Sequence, residues 1–121
     1  MSNQYELLLD EKNDRLTISP IVYEDIWKMY KIHEASIWHS HEVKMDKDIK
    51  DWNELSNDDR YFLKHILAFF ASSDMIVSEN LASRFMREIK IVEVKVFYGF
   101  QLMMENIHSE TYSNMIDAYI T

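Results

Sequence analysis

Glu105 and His108 form a Glu-x-x-His pair, the spacing that places a carboxylate and an imidazole on the same face of a helix. Asp74 adds a second carboxylate inside an otherwise apolar segment, and Tyr112 lies one helical turn beyond His108. Burying an ionised carboxylate alone is costly, so Asp74 is expected to pair with a cation, take up a proton or bind a metal. These residue types and spacings point to metal chemistry with oxygen and nitrogen ligands.

The spacing alone leaves two interpretations equally open. In the first, Asp74, Glu105 and His108 bind a metal; carboxylate and imidazole ligands favour iron or manganese over a softer ion. In the second, His108 is protonated or hydrogen-bonded between the two carboxylates, and Tyr112 closes a buried polar network. The chain has no cysteine, so neither interpretation involves a thiolate.

Two long helices are needed to position these residues. Ser56, followed by Asn57 and two aspartates, predicts the start of one of them, because its hydroxyl can cap the first turn. Apolar residues and one acid then recur at steps of three and four, the stripe of a packed helix. This stripe consists of Leu63, Leu67, Phe70, Asp74, Val77 and Leu81.

A second long helix is predicted from about Ile91, although Val92 to Val96 alternates like a strand. The helical spacing there runs to the end of the sequence through Val94, Tyr98, Gln101, Glu105, His108, Tyr112, Met115 and Tyr119. If the two helices form an antiparallel hairpin that turns near Lys90, Asp74 faces Glu105. The site is then expected deep along the hairpin.

Residues 1–19 are polar and predict an extended arm, with residues 20–121 forming one helical domain. Ser19-Pro20 predicts the start of the first helix, which continues to about Trp38. By itself, Trp38 is expected to be a packing residue. The charged segment Lys44 to Asp51, like His39 before it, is expected to be solvated loop.

Composition limits the function classes. The chain has 121 residues, a formal charge of -8 and 47% hydrophobic residues, which indicates one globular domain and argues against direct binding of nucleic acid. One glycine and one proline leave little material for hairpin turns, so an all-α fold is predicted. Since no apolar run is long enough to span a bilayer and no signal peptide is recognisable, we expect a soluble cytoplasmic protein without membrane contact.

Five motifs then become recognisable together. In chain order they are Glu34–Trp38 (EASIW), Lys47–Trp52 (KDIKDW), His65–Asp74 (HILAFFASSD), Phe97–Gln101 (FYGFQ) and Met104–Glu110 (MENIHSE), followed by Tyr112. They closely resemble the small subunit of class I ribonucleotide reductase, most of all the type found in eukaryotes and large DNA viruses. The resemblance covers almost the whole chain, from about Arg15 to Ile120.

The resemblance implies a ferritin-like helical bundle and a role in making deoxyribonucleotides from ribonucleotides. It implies that Asp74, Glu105 and His108 are ligands of a centre with two iron ions, with manganese as the alternative metal. Tyr112 matches the tyrosine that is oxidised to a stable radical, and Trp38 matches a tryptophan of the radical-transfer route to the large subunit. A phenoxyl radical survives where water is excluded, so Tyr112 is expected to be buried.

The sequence departs from the family in length, since family members carry a second half with further ligands. The chain alone is therefore not expected to support turnover. The implied partners are the large subunit and a second small subunit in a homodimer. The missing half is either the rest of a longer gene product or a separately encoded C-terminal half. Two alternatives stay open: a symmetric site made by two copies, and a non-catalytic helical fragment or interaction module that binds a partner chain.

Overall fold

The computed structural model describes residues 5–120, and within them every regular element is helical. The helices are α1 (Glu24–Ala35), α2 (Asp48–Glu54), α3 (Asn57–Asn80), α4 (Met86–Glu88) and α5 (Val92–Tyr119), with a π-helical segment at Leu81–Phe85. The all-α prediction is confirmed for this part of the chain. None of these helices combines the length and the apolar character needed to cross a membrane.

The predicted start of α3 is confirmed. Ser56 Oγ accepts a hydrogen bond from the backbone N–H of Asp59 at 3.1 Å and donates one to the Asp59 carboxylate at 2.6 Å. Acidic residues in this first turn also interact favourably with the positive end of the helix dipole. At its other end α3 passes into the π-helical segment, which no turn residue in the sequence signals and which was not predicted.

Helix α5 is also confirmed, against the strand-like pattern at its start. Ile89 adopts an extended backbone after α4, and the helix then runs for 28 residues from Val92. Ile89, Ile91 and Val92 are all nearly inaccessible to solvent. Ile89 and Ile91 precede the helix and Val92 is its first residue, so the chain is buried where α5 begins, and packing there outweighs the strand preference of β-branched residues.

The predicted limits of α1 are wrong at both ends. The helix begins at Glu24, four residues after Pro20, and the backbone N–H groups of Val22 and Tyr23 just before it donate to the Glu93 carboxylate. It ends at Ala35, where the N–H of Ser36 bonds back to the carbonyl of His33. Trp38 therefore lies outside α1.

Two loop predictions are also corrected. Helix α2 occupies part of the charged segment predicted as a loop, with acidic residues in its first turn. The predicted extended arm contains two 3-10 turns, Leu7–Leu9 and Glu11–Asn13, each capped by the side chain of the acidic residue before it. The first four residues of the arm, and Thr121 at the other end, lie outside the described residues.

The described residues form two compact units. The first unit contains residues 5–37 and 79–103, and its buried apolar side chains are Leu81, Ile89, Ile91 and Val92. The second unit contains residues 38–78 and 104–120. The five predicted site residues, Trp38, Asp74, Glu105, His108 and Tyr112, all belong to the second unit.

Candidate metal centre

Asp74, Glu105 and His108 come together in the second unit. Each offers one ligand atom, and these three atoms lie within 4.8 Å of one another, close enough to hold one metal ion between them. Asp74 projects from α3, while the Glu-x-x-His pair projects from α5. The prediction that Asp74 faces Glu105 is therefore confirmed.

The hydrogen bonds within this group are incomplete. His108 Nδ1 lies 3.3 Å from Glu105 Oε2, the contact expected for residues three positions apart on a helix. Asp74 Oδ2, in contrast, is buried and has no hydrogen-bond partner among residues 5–120. A closed polar network would satisfy that oxygen, so the donor set fits a cation better than a network.

The electrostatics agree with this interpretation. Burial raises the pKa of the Asp74 carboxyl, and the nearby charge of Glu105 raises it further, while His108 acts in the opposite direction. The raised pKa means that the surroundings stabilise the anionic form of Asp74 less well than water does. A divalent cation would stabilise that form, and two carboxylates with one imidazole are ligands suited to iron or manganese.

Tyr112 lies beside this group but is only partly buried, whereas the sequence predicted a buried ring. The Phe70 ring from α3 stacks on it, with 5.6 Å between centroids and 13° between planes. Burial raises the pKa of the Tyr112 hydroxyl, and the charges of Asp74 and Glu105 raise it further. The phenol therefore keeps its proton over a wider pH range than an exposed tyrosine.

One side of the site is open to solvent, because the His108 side chain is 37% exposed. Its imidazole stacks on the indole of Trp38, with 5.6 Å between ring centroids and 27° between planes. Beside them lies a cavity of about 260 Å³. The residues that line it are Trp38, Val43, His108, Thr111, Tyr112 and Met115.

Two features of this site went beyond the sequence prediction. Phe70 was identified only as a member of the apolar stripe, and its position one turn before Asp74 was the available signal that it approaches Tyr112. Trp38 was expected to be packing from its residue type, and its contact with His108 could not be read from local spacing. His39 and His41 stack on each other and do not belong to the metal-binding group.

Comparisons with known proteins agree with these observations. Residues 15–121 match the family described as "Ribonucleotide reductase, small chain". The "Ribonucleoside-diphosphate reductase small chain" of Swinepox virus (strain Kasza) is 56% identical over 115 residues, which are 95% of this chain and 42% of that protein. The chain thus spans less than half the length of this relative.

Two solved structures share the fold. The Rnr4 ribonucleotide reductase homodimer from Saccharomyces cerevisiae matches with a TM-score of 0.84 and 43% identity, over 93% of this chain and 36% of that chain. The ribonucleotide reductase R2 subunit from Clostridium botulinum matches with a TM-score of 0.79 and 25% identity, over 96% of this chain and 40% of that chain. The predicted ferritin-like helical fold is thereby confirmed, and the chain belongs to the small-chain family of ribonucleotide reductases.

Proposed function

We propose that this chain is part of a radical-generating small subunit of ribonucleoside-diphosphate reductase. In this role it holds metal ions and a tyrosine that is oxidised to a radical for the reduction of ribonucleotides to deoxyribonucleotides. The observation that carries the proposal is the convergence of Asp74, Glu105 and His108 beside Tyr112, with one Asp74 oxygen left without a hydrogen-bond partner among the described residues.

Asp74, Glu105 and His108 are the proposed ligands, on the N and O atoms that the structure brings together. Iron bound by such ligands supplies oxygen activation and the oxidising power to remove an electron from a neighbouring phenol. Bundle proteins of this chemistry use a carboxylate and a Glu-x-x-His pair from each half of the bundle. The three residues described correspond to one such half-set.

Tyr112 is the proposed radical residue. Its oxidation removes one electron from the ring and one proton from Oη, so the proton must be present beforehand and have a nearby acceptor. The raised pKa of the hydroxyl keeps the proton on Oη. Among the neighbouring charges, that of Asp74 raises the pKa of this hydroxyl most. The stacked Phe70 ring shields one face of the phenol from water.

Trp38 is the proposed first step of radical transfer away from the site. Its indole is in stacking contact with the imidazole of a proposed ligand, which gives an electron a short path out of the metal centre. Because the cavity beside Trp38 is open, a partner protein could reach this side of the second unit. The proposed recipient is the large reductase subunit.

Three partners belong to the proposal. They are the large subunit, a second copy of the small subunit and a separately encoded C-terminal half. The yeast Rnr4 structure is that of a homodimer, which supports the second of these. The first is proposed from the family to which the chain belongs, and the third because bundle proteins of this chemistry take ligands from both halves of the bundle.

Anaerobic titration with iron(II), followed by calorimetry, tests the metal assignment. Asp74→Asn and His108→Ala should each weaken binding at least about tenfold, since each removes one of three ligands and a tenfold change is only about 1.4 kcal/mol. His65→Ala is the matched control, because His65 is an exposed histidine on α3 that bonds only to the Tyr61 carbonyl. Competition with manganese(II) in the same titration distinguishes the two metals.

Circular dichroism of each variant establishes that helix content is retained. Iron binding by Asp74→Asn as tight as that of the unsubstituted chain would contradict the ligand assignment. Tyr112→Phe should retain iron affinity, because Tyr112 is proposed as the oxidised residue and not as a ligand.

A second candidate is a helical interaction module without catalysis. Phe62, Phe69 and Ile76 recur every seven residues on α3 and are 62%, 66% and 61% exposed. A heptad stripe of exposed apolar residues is typical of a helix surface that binds another helix. Native mass spectrometry of the protein from its own source separates the candidates: a partner chain with two metals supports the reductase, and a partner without metal supports the module.

A further inference from the structure

We propose that the second unit contains a binding site for a small organic anion with a planar ring, separate from the candidate metal centre. The site is a cavity of about 620 Å³ between α2, the first two turns of α3 and the end of α5. We call it the basic aromatic cavity. Its lining residues are Ile49, Trp52, Asn53, Asn57, Arg60, Tyr61, Lys64, Ala118 and Tyr119.

The charge of the cavity is opposite to that of the chain. Arg60 and Lys64 lie four residues apart on α3, and no carboxylate is among the lining residues of this cavity in the described part of the protein. Within residues 5–120 neither cation forms an ion pair. In a chain of formal charge -8, two cations without a carboxylate partner in one cavity are suited to an anionic ligand.

The guanidinium of Arg60 is held in place. Its Nη2 donates to Asn57 Oδ1 at 2.8 Å, which leaves the other N–H groups of the guanidinium free to bind a ligand. The planar guanidinium matches the geometry of carboxylate and phosphate oxygens, and Lys64 adds a second charge on the same helix face. The amide of Asn53 is a further donor and acceptor in the lining.

Aromatic rings form the other part of the wall. The indole of Trp52 stacks on the ring of Tyr119, with 5.2 Å between centroids and 22° between planes. The Tyr119 hydroxyl donates to Asp48 Oδ2 at 2.8 Å, which fixes that ring. Tyr61 adds an exposed ring beside Arg60. Rings held in this way provide surfaces on which a planar ligand can stack.

The size agrees with a ligand of this class. Pockets for small organic molecules are typically about 300–1,000 Å³. The shared chemistry is a planar ring joined to an anionic group, which is present in nucleoside monophosphates and in aromatic carboxylates. None of the proposed metal ligands lines the cavity, so the proposal does not depend on the reductase function.

Calorimetric titration with four probes tests the proposal. AMP and 4-hydroxybenzoate each contain a ring and an anion, inorganic phosphate contains only the charge, and adenosine contains only the ring. We expect saturable binding of at least one of the two ring anions, at least tenfold tighter than that of phosphate or adenosine. The tighter of the two ring anions identifies phosphate or carboxylate as the anionic group.

Variants identify the residues responsible. The double substitution Arg60→Gln with Lys64→Gln should weaken binding of the ring anion at least tenfold. Arg84→Gln with Arg87→Gln changes the net charge by the same amount in the first unit and should leave the affinity unchanged. Trp52→Leu should weaken binding of the ring anion but leave the affinity for inorganic phosphate unchanged. Circular dichroism checks that this variant retains its helix content.

Three results would overturn the proposal. They are the absence of saturable binding of both ring anions, equal affinity for inorganic phosphate and for the ring anion, and equal loss of affinity in the two double variants. The last result would mean that net charge, and not the cavity, attracts the anion. If Trp52→Leu alters the fold, the comparison of the two double variants still tests the cavity.

Discussion

Glu93 is a completely buried carboxylate at the start of α5, in the first unit. Its Oε1 accepts hydrogen bonds from Arg15 Nη2 at 2.8 Å, from the Val22 N–H at 2.7 Å and from the Tyr23 N–H at 3.3 Å. Burial by itself would raise the pKa of this carboxyl, but the Arg15 guanidinium and the backbone donors outweigh burial and lower the pKa to about 2. Glu93 is therefore ionised at neutral pH, and its carboxylate binds the segment that precedes α1.

Glu93→Gln is predicted to destabilise the protein by about 3 kcal/mol, because it leaves the Arg15 guanidinium without its counter-charge. Urea unfolding followed by circular dichroism measures this change. Glu88→Gln is the control, since Glu88 is an exposed glutamate nearby and should change the free energy of unfolding by less than about 0.5 kcal/mol. Equal effects of the two substitutions would contradict the assigned role of Glu93.

Stability is predicted to fall with pH in a defined window. The Glu93 carboxyl has a pKa of about 2 in the folded chain and about 4.5 when exposed, so its contribution is complete above pH 4.5 and is lost as the pH falls toward 2. At about 1.4 kcal/mol for each pKa unit, the loss is on the order of 3 kcal/mol. Unfolding free energies between pH 2 and 6 should show this loss, and Glu93→Gln should flatten the profile.

At the candidate site, the residue types could be predicted but their surroundings could not. Asp74 was identified because an acid inside an apolar stripe requires a partner, and the structure indeed brings a second carboxylate and an imidazole beside it. The exposure of His108 and the contact between Trp38 and His108 depend on packing between segments far apart in sequence. Local spacing contains no information about such contacts.

At the level of elements, helices whose ends are fixed by nearby residues were predicted well. The start of α3 depends on Ser56 and Asp59, three residues apart, so the sequence shows it directly. The segment just before α1 is bound by Glu93, which is about 70 residues away and accepts the Val22 and Tyr23 N–H groups, so nearby residues do not reveal where α1 begins. Pro20 was therefore a misleading signal, although its residue type suits a first turn.

Ser56→Ala is predicted to destabilise the protein by about 1 kcal/mol, because it removes the side-chain acceptor for the Asp59 N–H. Thermal or urea unfolding checks the value. Ser72→Ala is a suitable control, since Ser72 lies inside α3 and its hydroxyl donates only to the Ala68 carbonyl, which already belongs to the helix. An unchanged stability for Ser56→Ala would contradict the capping role.

Gly99→Ala is predicted to stabilise α5 by about 0.5–1 kcal/mol, since glycine inside a helix costs conformational entropy. A Cβ added at Gly99 would lie 3.7 Å from Met86 Cε, an ordinary van der Waals distance. A methyl side chain therefore fits at this position without a steric clash. Urea unfolding should show the gain, and a loss of more than about 1 kcal/mol would mean that the surroundings of Gly99 are tighter than this distance indicates.

At the level of the whole molecule, the main feature of the surface is the number of large apolar side chains that remain exposed. The predicted inner stripe of α3 contains Phe70 and Val77, which are still 41% and 38% exposed, and the heptad stripe of Phe62, Phe69 and Ile76 lies open as well. The heptad stripe was missed because the inner stripe already explained the helix. An apolar surface of this kind favours association with another chain.

The paired substitutions Phe62→Gln and Phe69→Gln are predicted to reduce concentration-dependent association of the chain while preserving its helix content. Sedimentation velocity at several concentrations measures association, and circular dichroism measures helix content. Leu16→Gln is the control, because Leu16 is fully exposed but lies on the N-terminal arm, outside α3. Association that is unchanged by the paired substitutions would exclude the heptad stripe as the contact surface.

The contacts of the N-terminal arm have a consequence for the order of folding during synthesis. Arg15 binds a carboxylate 78 residues later, Asp14 binds Lys95, and the Leu8 carbonyl accepts the N–H of Lys90. At about 5–20 residues per second, the ribosome needs roughly 4–16 s after making Arg15 to produce Glu93. During that interval the arm lacks its native contacts. The arm and the segment just before α1 therefore reach their native positions late, once the start of α5 has left the ribosome.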